Sequence, residues 1–230
     1  VVTTIGFDAD DTLWHNERYY RAAEAEFADL LSPYGDCARL EDRMNDRHRA
    51  NMWLYGFGAK SFTLSLIETA IEVSNGAVPA RVLHKIVQTG REMLAHPVEL
   101  LPYARDTVEA LSAQYRIVLI TKGDLFHQER KIAASLLGEH FDAIEIVSDK
   151  TADTYARIFS THGDGAASAA MVGNSLKSDI IPAIEAGSWG VYVPHDQTWA
   201  LECAEPPLAA PRYREIANLG ELPDLISLIR

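Results

Sequence analysis

Cysteine is scarce in this 230-residue chain, with Cys37 and Cys203 the only two. No Cys/His spacing typical of a zinc centre surrounds either, so neither a disulfide framework nor a structural zinc site is expected. That scarcity suits a reducing, cytoplasmic setting. Positive charge is also short: 21 Lys and Arg stand against 33 Asp and Glu, a formal net charge of -12. A surface biased this way repels nucleic acid and anionic membrane, and no local basic patch offsets the repulsion. Apolar runs stop far short of the roughly 20 residues that span a bilayer, and no basic region precedes an apolar run at the N-terminus. The expectation is a protein neither exported nor anchored, with neither nucleic acid nor membrane among its partners.

Hydrophobic residues make up 47% and charged residues 23% of the chain, a globular balance that excludes disorder. The run from Val1 to Phe7 is β-branched and apolar and stops at the acidic group Asp8, Asp10, Asp11. Similar short runs recur at Ile117 to Ile120, Ala143 to Val147, Ala169 to Val172 and Gly190 to Val193. Between them lie helical patterns at Ala104 to Tyr115, Phe126 to Leu137, Thr151 to His162 and Asp179 to Ala186. This alternation predicts an α/β fold, a Rossmann-like three-layer core with a parallel sheet between helices.

From residue 15 to 97 the alternation breaks. Tyr19, Ala23, Phe27 and Leu30 share one helical face, and Phe62, Leu66, Ala70 and Val73 another. The expected organisation is a catalytic core from 1–14 and 98–230, interrupted by an all-helical cap from 15–97. Acidic excess resides in the core, since the insert holds 10 basic against 11 acidic residues. Arg39, Arg43 and Arg47 form a row at i, i+4 spacing, expected to pair with Asp42 and Asp46 as a solvated ladder. The stretch Pro206 to Pro211 reads as a surface loop.

Ligands of parallel α/β sheets collect at the carboxyl ends of the strands. There the sequence puts Asp8 and Asp10, then Thr121 and Lys122, then Lys150, then Asn174, Ser175 and Asp179. Each has a plainer structural role open to it: a solvated strand-end cluster for the N-terminal acids, a surface lysine for Lys150, a helix cap for Asp179. A calcium loop starting at Asp8 fails, because Leu13 stands where Gly is needed and Tyr19 where a bidentate Glu is needed. The segment Gly56 to Ser61 lacks the adjacent Gly-Lys of a phosphate loop and reads as a turn between two helices. No GxSxG elbow occurs.

Four segments carry a resemblance when taken in order. Ile5-Gly6-Phe7-Asp8-Ala9-Asp10-Asp11-Thr12-Leu13 is similar to the hydrophobic-DxDxT motif of the haloacid dehalogenase-like hydrolase superfamily. Val118-Leu119-Ile120-Thr121 matches its second motif, Lys150 its third, and Gly173-Asn174-Ser175-Leu176-Lys177-Ser178-Asp179 its fourth, of GDSxxxD type. The helical insert between the first two occupies the place of that family's C1 cap. The resemblance implies a Mg2+-dependent phosphatase acting on a small phosphorylated metabolite through an aspartyl phosphate, with no assignment of oligomeric state.

By that resemblance Asp8 is the nucleophile, while Asp10 protonates the leaving oxygen, later deprotonates water, and binds metal through its carbonyl. Proximity to Asp8 is expected to keep Asp10 protonated part of the time near neutral pH. Thr121 and Lys150 would hold phosphoryl oxygens, and Asp8, Asp10, Asn174 and Asp179 would hold Mg2+, a hard cation suited to oxygen ligands. The chain departs from the pattern at Asn174, where Asp is usual, implying weaker metal binding. It departs again at Lys122, where Asn is common, implying an added phosphate contact or a partial replacement of the metal's charge. Phe57 and Lys60 in the cap turn are candidate substrate-selecting residues. Asp10 argues against the dehalogenase branch, which lacks a second acid at that place. A phosphomutase using the same intermediate, a nucleotidase, or a catalytically impaired binding protein stand as alternatives.

Overall fold

In the computed structural model, which describes residues 1–34, 37–199 and 202–229, the chain divides into two units. The first comprises Val1–Glu17, Val98–Lys122 and Gln128–Arg230; the second comprises Arg18–Pro97 and Gly123–His127.

The first unit is built on β1 (Thr4–Phe7), β2 (Arg116–Lys122), β3 (Ala143–Val147), β4 (Ala169–Gly173), β5 (Trp189–Tyr192) and β6 (Tyr213–Glu215). All neighbouring pairs run parallel, in the order β3-β2-β1-β4-β5-β6. This is the Rossmann-like arrangement expected, and its strand order reverses between β1 and β4, the position where such sheets open a crevice. The continuous apolar runs follow from burial on both faces. Ile117 and Leu119 join Ile5, Phe7, Ala170 and Val172 in one core, while Val118 and Ile120 join Ala169 and Met171 in another. The first core is closed by α5 (Ala104–Ser112) and α9 (Leu222–Leu228), the second by α7 (Ala152–His162). Gly6 suits this packing: a Cβ there would meet Ile120 Cδ1 and Met171 Sδ, each at 3.0 Å, and a neighbour would have to give way.

Two differences from the expected elements have local causes. β6 was not anticipated, because Tyr-Arg-Glu carries no apolar run. It is a short edge strand paired to β5, with Arg214 stacked over Trp189 at 4.6 Å. The helix expected from Asp179 begins instead with a wide turn over Leu176–Ile180, followed by α8 (Ile181–Glu185). The Ser175 carbonyl accepts from both Asp179 N–H, at 2.9 Å, and Ile180 N–H, at 3.2 Å, which opens the turn to i, i+5 spacing. Pro182 is tolerated in the first turn of α8.

The second unit contains α1 (Glu17–Leu31) from Arg18 onward, α2 (Cys37–Tyr55), α3 (Ala59–Val73) and α4 (Ala80–Ala95), with no strand among its described residues. Ala23, Phe27, Phe62, Leu66, Ala70 and Ile86 form its apolar centre. Two arginines of the row reach acids of a neighbouring helix. Arg43 reaches Glu72 at 3.7 Å, and Arg47 reaches Glu68 at 3.7 Å and also Glu72. The acids come from α3 because the two helices pack side by side, which brings its carboxylates to the arginine heads. Gly56 and Gly58 hold positive φ angles of 73° and 110°, so glycine makes the turn between α2 and α3.

Leu119 is fully buried at the centre of β2. Leu119→Ala should lower unfolding free energy by about 2–5 kcal/mol, read from urea denaturation. A loss below about 1 kcal/mol would mean that this core closes over the cavity.

Candidate active site

β1 ends at Phe7, and Asp8 follows it with its backbone N–H donated to Val172 O of β4 at 2.9 Å. The nucleophile candidate therefore sits where the sheet order reverses. Its carboxylate is buried, with each oxygen facing a different environment. Lys150 Nζ donates to Asp8 Oδ1 at 2.5 Å and to Asp179 Oδ1 at 2.7 Å, with all three side chains below 10% exposure. Thr12 donates its hydroxyl to Asp8 Oδ2 at 3.0 Å and accepts from the Asn174 backbone N–H at 3.1 Å. Asp179 does not cap a helix: its Oδ2 accepts from Ser175 N–H at 2.9 Å, folding the loop after β4 back on itself. Gly173 is required beneath it, since a Cβ there would lie 2.3 Å from Asp179 Oδ2.

Burial, and after it the charge of Asp179, push the Asp8 carboxyl up to about 7 despite Lys150. The same burial would pull Lys150 down, but its two carboxylate partners hold it firmly protonated.

Asp10 is in a different state from the one expected. Burial alone would raise its pKa, yet Lys131 and hydrogen bonds from Trp14 and Gln128 bring it below the ordinary carboxylate value. Lys131 Nζ lies 2.6 Å from Oδ1 and 2.7 Å from Oδ2; Trp14 Nε1 donates to Oδ1 at 2.7 Å and Gln128 Nε2 to Oδ2 at 3.0 Å. Direct cationic contact outweighs the more distant repulsion of Asp8. Gln128 also donates to Thr121 Oγ1 at 2.8 Å, tying Thr121 to Asp10. Lys131 and Gln128 stand on α6 (Leu125–Ser135), and nothing in their spacing signalled the site. Glu202 was missed for the same reason: it comes from the connection between β5 and β6, and it takes up Lys122, whose Nζ donates to Glu202 Oε1 at 2.8 Å.

Asp11 leaves the cluster. Its φ of 61° turns it away from Asp8 and Asp10, and its carboxylate accepts from the N–H groups of Asn16, at 2.8 Å, and Glu17, at 2.9 Å, at the start of α1. Phe57 and Lys60 belong to the second unit, where Lys60 pairs with Asp124 at 2.7 Å.

The donor set can be tested against a hard cation. Asn174 Oδ1 accepts from the Thr12 hydroxyl at 3.1 Å and lies 3.2 Å from both Asp8 Oδ2 and the Asp10 carbonyl oxygen. Turning the amide over makes Nδ2 a donor to both, which satisfies the site without an ion; keeping the oxygen inward leaves it as a ligand for a cation. Oxygen ligands of Mg2+, at about 2.1 Å from the ion, stand roughly 3 Å from one another in an octahedron. These residues fit such an ion, although among the described residues no three His, Cys, Asp or Glu side chains gather into a metal cluster.

A buried carboxylate where the order of a parallel sheet reverses, a lysine held between it and a second buried carboxylate, and further oxygen donors at the same strand ends are the features of this site. The family model described as "Hydrolase: haloacid dehalogenase-like hydrolase" matches residues 2–187, and the chain belongs to that family. A haloacid dehalogenase-like family hydrolase from Xanthomonas campestris is 43% identical over 98% of this chain and 91% of its own, with a TM-score of 0.87. Two more distant structures share the fold. The HAD-hydrolase YfnB from Bacillus subtilis, bound to magnesium, is 18% identical over 99% of both chains, with a TM-score of 0.67. An L-2-haloacid dehalogenase from Xanthobacter autotrophicus is 16% identical over the whole of both chains, with a TM-score of 0.68. No curated protein matches the chain. No helix among the described residues is long and apolar enough to cross a membrane.

The raised pKa of Asp8 sets a pH dependence of stability. Between its unfolded value near 4 and its folded value of about 7 the native state binds the extra proton, so stability falls as pH rises through that window. Asp8→Asn removes this slope. With chelator present, the variant should unfold at a temperature less dependent on pH between 5 and 7.5, and should exceed the parent protein above pH 7. Parallel melting-temperature curves would overturn the assignment of that proton to Asp8.

Proposed function

We propose that this hydrolase is a Mg2+-dependent phosphatase that cleaves a small phosphorylated metabolite through an aspartyl phosphate on Asp8. The observation that carries the proposal is the division of labour across one carboxylate: Lys150 holds Asp8 Oδ1, while the Asn174 side-chain amide stands 3.2 Å from both Asp8 Oδ2 and the Asp10 carbonyl oxygen, where its oxygen can join them as ligands of a hard cation. A carboxylate attacking a haloacid carbon needs no cation pocket at its other oxygen, whereas one attacking a phosphate dianion does.

Asp8, the Asp10 carbonyl and Asn174 would hold Mg2+, with Asp179 reaching it through water. When bound, the ion supplies positive charge that offsets repulsion between carboxylate and phosphate. Asp8 forms the bond to phosphorus as the ester oxygen departs, splitting hydrolysis into two displacements. Lys150 and the Thr121 hydroxyl stabilise the equatorial oxygens, where charge collects in the transition state. Asp10, anionic against Lys131, is suited to take the proton from the water that attacks the phosphoaspartate. Giving a proton to the leaving oxygen in the first step requires Asp10 to release Lys131 and become protonated. The helical unit would act as a cap that excludes bulk water, with Phe57 and Lys60 as candidates for substrate selection.

Asp8→Asn should reduce phosphate release from aryl phosphates and a metabolite panel by on the order of a thousandfold or more, with the circular dichroism spectrum retained. Full activity in that variant, or halide release from 2-haloacids without phosphate release in the parent, would replace the reading. Chelation should abolish phosphate release and added Mg2+ restore it. Asn174→Asp should lower the Mg2+ concentration giving half-maximal rate, because it adds a negative charge at the pocket; no change would place Asn174 outside the metal's reach.

A further inference from the structure

Glu202 reaches the carboxyl edge of the sheet from the connection between β5 and β6. Its Oε1 accepts from Lys122 Nζ at 2.8 Å, and its Oε2 from Ser175 Oγ at 2.7 Å and from Ser178 Oγ. Lys122 also donates to Ser178 Oγ at 2.8 Å. The pair is largely enclosed, with side-chain exposures of 13% for Lys122 and 18% for Glu202. One ammonium and two hydroxyls aimed at a single carboxylate have the chemistry of an anion site, made of charge-assisted bonds in a partly desolvated place. The donors belong to the nucleophile's neighbourhood: Lys122 follows Thr121, and Ser175 holds Asp179 Oδ2 through its own N–H at 2.9 Å.

We propose that Lys122, Ser175 and Ser178 form an anion-binding subsite which the protein fills with its own Glu202, and that phosphate competes with Glu202 for it. This deepens the phosphatase reading. An uncompensated Lys122 would bind substrate and product phosphate as firmly as the transition state, which gives affinity without rate. Glu202 cancels that charge in place, so the lysine expected to grip phosphate is held back from it. Burial would raise the Glu202 carboxyl, but Lys122 and the two serine hydroxyls keep it anionic.

The competition predicts a gain of binding on removing a group from the site, which loss of a mere structural brace does not produce. Inorganic phosphate is titrated calorimetrically into the parent protein, Glu202→Gln, Glu202→Ala and the double variant Lys122→Met/Glu202→Gln. Both single variants should bind phosphate at least about fivefold more tightly, and the double variant should lose the gain. Should Glu202→Ala fail to fold, Glu202→Gln decides, since its amide keeps the size of the side chain and an oxygen for the serine hydroxyls. Unchanged or weaker phosphate binding in the folded single variants overturns the subsite, as does a gain that survives loss of Lys122. Turnover of phosphate esters on the same preparations separates the two readings. A tightened phosphate affinity in a protein that hydrolyses no ester sinks the phosphatase and leaves the subsite. Normal turnover with no tightening does the reverse.

Discussion

The ammonium of Lys150, buried between Asp8 and Asp179, is the contact on which the rest of the site depends. Two carboxylates this close, out of water, would repel each other and one would be driven neutral. Lysine between them offsets part of that cost, although burial and the charge of Asp179 still push the Asp8 carboxyl up to about 7. It also fixes geometry, because Asp179 in turn holds the Ser175 N–H and so shapes the loop that carries Asn174. A single cation thereby links β1, the loop before α7 and the loop after β4.

The sheet makes this possible by having its order change direction between β1 and β4. Strands buried on both faces leave their polar groups only at the ends, where residues released from the hydrogen-bond ladder can turn toward a ligand. Close packing enforces the arrangement at two glycines. A side chain at Gly6 would press on Ile120, Met171 and Phe159, and Gly173 has no room for one beside Asp179. The wide turn at Leu176–Ile180 then delivers Asp179 back over Gly173.

A second level of control is electrostatic. Asp8 and Asp10 are two residues apart, yet one is pushed up by burial and Asp179 while the other is pulled down by Lys131. The separation favours the proton on Asp8 over Asp10, the reverse of the assignment that the first displacement of the proposed reaction uses. Lys122 is paired in place by the Glu202 carboxylate. Neither Lys131 nor Glu202 lies within a motif, and each changes the behaviour of a residue that does.

Much of the fold was legible in the amino-acid order, for a physical reason: strands covered on both faces must be apolar throughout, and β1, β2, β4 and β5 announce themselves in that way, whereas β3, at the sheet edge, carries an apolar run broken by Glu145. β6 did not, since an edge strand of three residues needs no apolar run. The set Asp8, Thr121, Lys150, Asn174 and Asp179 was readable as well, because residues at strand ends are placed by the strands. What the chain could not disclose was who partners whom. Arg47 meets Glu68 and Glu72, Asp10 meets Lys131, and Lys122 meets Glu202 across gaps of tens of residues. Local sequence determined the elements and the chemistry at their ends; the tertiary structure alone decided the charge state of that chemistry, because Coulomb energy depends on distance in space and on burial, neither of which is written in spacing along the chain.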